Sequence, residues 1–203
     1  MDKIGICGAG LIGASWAVGF ANAGYTSFVY DNDVNSVENF NKYFNDLLQD
    51  LKIINPNINE DKIRNNIKLD CTIEQICEGS ILIQESVAED LKVKQDIFRK
   101  LDKLTSKDTI LASSSSYLVI SKISEYLEYK HRCINAHPAL PPHIVPFVEM
   151  AGSEDTSEEI INKALKIYKK ANYAAILLKK ETEGFVLNRL QGALLNEAVR
   201  LHE

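Results

Sequence analysis

This 203-residue chain has little of what commits a protein to nucleic acid, membrane or metal. Its 23 lysines and arginines are outnumbered by 28 aspartates and glutamates. The net charge of −5, with no dense basic cluster, argues against nucleic acid as a partner. No apolar run reaches the roughly 20 residues that span a bilayer, so no membrane partner is expected. The four cysteines (Cys7, Cys71, Cys77 and Cys133) lack metal-type spacing. Cys7 and Cys133 fall in expected buried strands, which reads as reduced structural thiols and no metal site. There is no internal repeat and no low-complexity linker. The first residues lead straight into a strand and leave no room for a signal peptide. The expected location is therefore the cytoplasm. The length allows one large domain, or a domain with part of another.

Glycine is also scarce, yet three of the ten glycines stand together. Lys3-Ile4-Gly5-Ile6-Cys7 leads into Gly8-Ala9-Gly10-Leu11-Ile12-Gly13. An apolar helix from Leu11 to Ala23 follows, capped by Gly24, and then a strand Phe28-Val29-Tyr30 that closes on Asp31. A dinucleotide needs this order. Gly8 permits the tight turn, Gly10 admits a pyrophosphate to the backbone, and Gly13 lets helix and strand pack closely. The free amides of the helix N-terminus, at Leu11, Ile12 and Gly13, favour the phosphate charge. Asp31 suits an adenosine ribose diol and repels a 2′-phosphate, and no arginine lies near it, so NAD is expected over NADP. FAD enzymes share the fingerprint, but no second flavin-contacting stretch follows.

Further along, Val37, Phe40, Phe44, Leu47, Leu48 and Leu51 mark a long amphipathic helix. A turn at Asn55-Pro56-Asn57 and a second helix through Ile63 and Ile67 complete a helical pair expected to project from the sheet. Strands are expected at Ile81–Ile83, Thr109–Ala112, Cys133–Ala136, Phe147–Met150 and Ala175–Leu178, with helices at Leu91–Leu104 and Ser157–Ala171. This alternation predicts an α/β fold: a Rossmann-type, doubly wound, mostly parallel sheet with helices on both faces and a helical-pair insertion. The last segment, Phe185–Glu203, is helical in pattern and strongly apolar. It lacks a stop signal, so it reads either as the first helix of a missing C-terminal helical domain or as a face that pairs with another copy.

Three expected strand ends carry polar groups where such sheets hold their ligands. Ser113-Ser114-Ser115-Ser116 follows one strand, Asn135-Ala136-His137-Pro138 ends another, and Glu149 closes a third after the Pro141-Pro142 and Pro146 segment. An alcohol dehydrogenation needs a base near neutral pKa, and a carboxylate behind a histidine fixes its tautomer. His137 and Glu149 on neighbouring strand ends fit that pairing. Four serines also make a turn or cap, and a histidine before proline also serves packing, so spacing alone leaves the pair open. His131, His143 and His202 have no evident partner and read as surface residues.

The glycine segment continued through Ala14-Ser15-Trp16-Ala17, the Ile83–Leu91 stretch, the Asn135–Met150 segment and Gly184-Phe185-Val186-Leu187-Asn188-Arg189-Leu190-Gln191 together resemble the 3-hydroxyacyl-CoA dehydrogenase superfamily. Ser-Trp-Ala after the glycines, the Ile-Gln-Glu strand and His-Pro-x-x-Pro-Pro look closest to its lambda-crystallin or L-gulonate 3-dehydrogenase branch. The resemblance implies a boundary between an NAD-binding domain, 1–183, and a helical substrate and dimerisation domain that begins in 184–203. It implies a cytoplasmic homodimer of fatty acid or related metabolism that interconverts a 3-hydroxy and a 3-keto group on a small-molecule substrate. That substrate is a 3-hydroxyacyl-CoA or a free 3-hydroxy acid such as L-gulonate; a crystallin-like protein that binds NAD without turnover is the alternative. His137 matches the family base, Glu149 its partner, Ser116 and Asn188 the groups that hold the reacting oxygen, and Glu85 a strand-end acid near the nicotinamide. Leu140 departs from the asparagine usual three residues after the histidine. A CoA thioester also needs cations for its phosphates; Lys52, Lys62 and Lys68 are the nearby supply, but they read rather as a solvated helical face, so charge does not choose between the substrates.

Overall fold

The computed structural model describes residues 1–202. Eight strands form a single sheet: β1 (Lys3–Cys7), β2 (Thr26–Tyr30), β3 (Ile67–Lys68), β4 (Ser80–Glu85), β5 (Ile110–Ser113), β6 (Cys133–Pro138), β7 (Phe147–Gly152) and β8 (Ala174–Leu177). Their order across the sheet is β3-β2-β1-β4-β5-β6-β7-β8. Every neighbouring pair is parallel except β6 and β7. The chain winds outward from β1 in one direction and then restarts at β4 on its other side. Between the carboxyl ends of β1 and β4, the helices on either side turn away to opposite faces, which leaves a crevice.

Alternation along the strands sends side chains to two cores. On one face, Ile4, Ile6, Leu82, Ile110, Ile134 and Met150 pack against helices α1 (Leu11–Asn22) and α7 (Glu158–Lys170). Trp16 and Phe20 of α1 stack at 5.4 Å and meet Tyr168 and Tyr173, so aromatic surface joins these two helices. On the other face, Cys7, Ile83 and Leu111 pack against α4 (Ile73–Cys77), α5 (Leu91–Leu104) and α6 (Ile120–Ile123).

The insertion differs from expectation. Helix α2 (Ser36–Ile54) lays Phe40, Phe44, Leu47, Leu48 and Leu51 into the same core as α1, so the pair is bound to the layer rather than projecting from it. Helix α3 (Glu60–Asn65) stops short of Ile67, which belongs to β3, because Asn66 C=O accepts from Ser27 N and starts a ladder with β2. Helix α8 (Phe185–His202) buries only its first residue, and Leu190, Leu194 and Leu195 are exposed. Glu203, the end of the helix expected from sequence, lies outside the described residues.

Candidate active site

The crevice between β1 and β4 is built by the glycine turn. Gly8 has φ +106°, and its N–H donates to Tyr30 C=O at 2.8 Å, tying the turn to β2. A Cβ on Gly13 would lie 1.8 Å from the Gly8 carbonyl oxygen, so only glycine lets α1 start this close to the turn. A Cβ on Gly10 would meet nothing within 4 Å, because Gly10 faces the open groove. Helix α1 begins at Leu11 with no side-chain cap and no acidic residue in its first turn, which leaves its amides and dipole free for an anion. Gly8, Gly10, Asp31, Ser86, Val87 and Ile97 border this groove of about 580 Å³. Asp31 Oδ2 accepts from Ala9 N at 2.6 Å and Oδ1 from Asp33 N at 2.9 Å. Each oxygen keeps a second lone pair for a hydroxyl in the groove. An open backbone at Gly10, an uncapped helix start and an acid at the end of β2 fit a dinucleotide.

Where the groove passes Ser86 and Val87 it meets a second cavity, of about 210 Å³, bordered by Ile12, Ser114, Ser116, His137 and Leu140. His137 and Glu149 are register partners across antiparallel β6 and β7. Their side chains meet at 3.0 Å, Nδ1 to Oε2, with both residues buried. The other carboxylate oxygen, Oε1, accepts from Val186 N and Leu187 N, each at 3.0 Å, in the first turn of α8. That helix start favours negative charge on Glu149. Phe185, fully buried, stacks on the His137 ring at 4.8 Å. Asn188 Nδ2 donates to the Ser116 carbonyl at 3.1 Å, and the Ser116 side chain is exposed beside the cavity. His137, Glu149, Ser116 and Asn188 are thus brought together from β6, β7, the loop after β5, and α8.

Glu85 is placed differently. It is fully buried beneath the groove, Oε1 against Lys94 Nζ at 2.8 Å and Val87 N at 2.7 Å, Oε2 against Ser113 Oγ at 2.6 Å. The acid that borders the cavity is Glu89, which accepts from the Ser115 hydroxyl and from Ser116 N and Tyr117 N at 3.1 Å each. Burial works against its charge, but the Ser115 hydrogen bond and the Lys94 ammonium at 3.3 Å outweigh this and hold its carboxyl below the ordinary value. Lys94 itself is 1% exposed and borders the same cavity. Neither Lys94 nor Glu89 was expected from sequence. The signal for Lys94 was its place on the buried stripe of α5, with Ile97, Phe98 and Leu101.

His143 also departs from expectation. It is buried rather than superficial, because the Pro138–Pro146 loop folds back on α2, where His143 Nε2 lies 3.1 Å from Asp50 Oδ2. Burial lowers its pKa and Asp50 only partly opposes this. Lys52, Lys62 and Lys68 are exposed as expected, with Lys52 paired to Glu60.

Comparison with known proteins bears on the fold and the dinucleotide groove. The family described as 3-hydroxyacyl-CoA dehydrogenase, NAD binding domain, matches residues 3–182. A lambda-crystallin homolog of Homo sapiens is 36% identical over 202 residues, covering 98% of this chain and 63% of that protein. L-carnitine dehydrogenase of Oceanobacillus iheyensis is 29% identical over 201 residues, covering 99% of this chain and 65% of that protein. Among solved structures, an NAD+-dependent dismutase, 5-formyl-3-hydroxy-2-methylpyridine 4-carboxylic acid 5-dehydrogenase, superposes with a TM-score of 0.87 at 29% identity, over 99% of this chain and 65% of that one. The chain therefore spans less than two thirds of the curated relatives it matches. No described helix is long and apolar enough to cross a membrane. The chain belongs to the 3-hydroxyacyl-CoA dehydrogenase family, spans that family's NAD-binding domain, and has NAD as its cofactor.

Proposed function

We infer that the whole protein is an oxidoreductase that interconverts a 3-hydroxy and a 3-keto group. The observation that carries this reading is the buried His137–Glu149 pair, whose histidine borders a cavity that shares Ser86 and Val87 with the dinucleotide groove. A carboxylate only accepts, so Nδ1 of His137 carries the ring proton and Nε2 is left with its lone pair. Nε2 has no protein partner among the described residues, and it is the atom that takes the proton of a substrate hydroxyl. Bound NAD supplies the hydride acceptor. Glu149 stabilises the imidazolium that forms, and the Val186 and Leu187 amides hold Glu149 in place. Ser116 and Asn188 hold the reacting oxygen and its neighbour in line. Asp31 selects the unphosphorylated ribose.

The substrate is a 3-hydroxyacyl-CoA or a small free 3-hydroxy acid such as L-gulonate, and the names of the relatives span both kinds. Four free thiols support a reducing, cytoplasmic setting. The uncovered apolar face of α8 supports a substrate and dimerisation domain beginning near residue 184 and a homodimeric whole protein. One observation favours a binding protein without turnover: Leu140, 64% exposed, puts an apolar group at the cavity where the family usually has an amide.

The test is nicotinamide absorbance with NAD and a panel of L-3-hydroxyacyl-CoAs, L-gulonate, L-carnitine and 3-hydroxybutyrate, on the whole protein. Turnover with one class, lost in His137→Gln while NAD still binds, is the expected result. Turnover that survives His137→Gln removes the dyad from the mechanism. Silence across the panel with NAD bound would favour the binding protein.

A further inference from the structure

A hydrogen-bond chain, buried at Tyr168 and Gln84 and half-buried at Ser114 and Ser86, runs from the α1 and α7 side of the sheet to the point where groove and cavity meet. The Tyr168 hydroxyl meets Gln84 Oε1, and Gln84 Nε2 lies 2.7 Å from Ser114 Oγ. Trp16 Nε1 lies 3.0 Å from the same oxygen, and Ser86 Oγ lies 2.9 Å from it.

Donor and acceptor capacity fixes the direction of every link. The indole N–H only donates. Burial pushes the Tyr168 phenol well above its ordinary pKa, so it keeps its proton, and among the described residues Gln84 is its one acceptor. Turning the amide round would leave that buried O–H without an acceptor, so Gln84 presents its NH₂ to Ser114. Ser114 Oγ then receives two N–H donors, which fill both of its lone pairs. Its single proton has to go to Ser86 Oγ. Ser86, having accepted, turns its own proton away from the protein.

Ser86 borders both the dinucleotide groove and the cavity of His137. The uncapped start of α1 marks the pyrophosphate, so the part of the dinucleotide that passes Ser86 is the part beyond it. We propose that Ser86 binds the nicotinamide-riboside half of NAD, giving its proton to a ribose hydroxyl or to the carboxamide oxygen, with the direction set by Tyr168, Gln84 and Ser114. This rests on the dinucleotide site and is independent of the role of His137.

The experiment is calorimetric titration of this chain with NAD, ADP-ribose and ADP. Ser86→Ala is expected to weaken NAD about five-fold, the worth of one neutral hydrogen bond, and to leave ADP unchanged. A matching loss for ADP-ribose identifies the ribose as acceptor; unchanged ADP-ribose identifies the carboxamide. Tyr168→Phe is expected to weaken NAD two- to five-fold without affecting ADP, because Gln84 is then free to turn. Trp16→Phe removes one of the two donors to Ser114 and tests the same direction should Tyr168→Phe melt too low. Unchanged NAD affinity in Ser86→Ala, or an equal loss for NAD and ADP, overturns the contact. Full NAD affinity in the folded Tyr168→Phe and Trp16→Phe variants overturns the relay. Failure of the wild-type chain to bind ADP would instead remove the dinucleotide site itself.

Discussion

Replacing Glu149 with glutamine separates the two tasks of its carboxylate. The change keeps the volume but removes a charge that accepts three hydrogen bonds, from His137 Nδ1 and from the Val186 and Leu187 amides, each at 3.0 Å. A charge-assisted bond is worth about 1 kcal/mol more than a neutral one, and the loss of charge at the start of α8 adds up to about 1 kcal/mol. The total is about 3–4 kcal/mol, which in a chain of this size lowers the melting temperature by about 6–16 °C. The amide oxygen can still serve the α8 backbone, which turns the NH₂ toward His137. The ring then accepts at Nδ1 and carries its proton on Nε2, so the base is occupied. In the whole protein this wrong tautomer should cost about 10⁴-fold in turnover. Calorimetry reads the first effect, and long-range ¹H–¹⁵N NMR of the imidazole reads the second. NAD affinity should stay unchanged, since Glu149 does not border the groove. A variant that keeps the Nδ1–H tautomer and melts within about 2 °C of wild type would refute both halves of the reasoning.

Other outcomes are equally open to measurement. Asp31→Ala should narrow the preference for NAD over NADP and also lower the melting temperature, because the Ala9 amide loses its acceptor; an unchanged cofactor ratio would take Asp31 out of selection. Burial raises Cys77 to about 11 and Cys133 to about 12, and puts Cys7 well above its ordinary value. At pH 8 Cys77 is therefore thiolate in roughly one molecule per thousand, and iodoacetamide should label Cys71 first, with the other three reacting only on unfolding. The lowered pKa of His143 means that the unfolded chain binds a proton the folded one refuses. Its neutral form contributes stability fully above the ordinary value of 6.5 and loses it as pH falls below that. The difference in melting temperature between wild type and His143→Gln should accordingly narrow on acidification, and a difference that widens would reverse the sign.

Sequence patterns carried the sheet and the groove further than the side-chain chemistry around them. The glycine turn, α1 and the acid after β2 are local in the chain, so spacing reveals them. The meeting of His137 and Glu149 was legible only in part: spacing left the pair open, and Glu149 lies third in β7 rather than closing it, reaching the His137 end of the sheet because β7 runs antiparallel to β6. Lys94 was hidden because lysine on an amphipathic helix ordinarily reads as solvent-facing, even on the stripe of Phe98 and Leu101. Glu85 was expected near the nicotinamide only from the family resemblance. Only the partner from α5, nine residues on, shows that its oxygens are occupied. The two-residue β3 carries no period to read, and the Thr72–Gln75 capping box that opens α4 passed unread within a polar stretch. His143 depends on α2, 93 positions away, which no local pattern reports.

The antiparallel register of β6 and β7 has a consequence for how this scaffold can change. His137 and Glu149 face each other because their strands pair residue for residue, and a slip of one would turn the two side chains to opposite faces. Their separation is thus set by backbone ladders and owes nothing to the length of the intervening segment, which runs over the rim and carries Leu140. Insertions or substitutions in that segment can reshape what the cavity admits while the two paired groups stay where they are. On the proposed mechanism, chemistry and selectivity are written on separate parts of the chain, and each is free to vary without erasing the other.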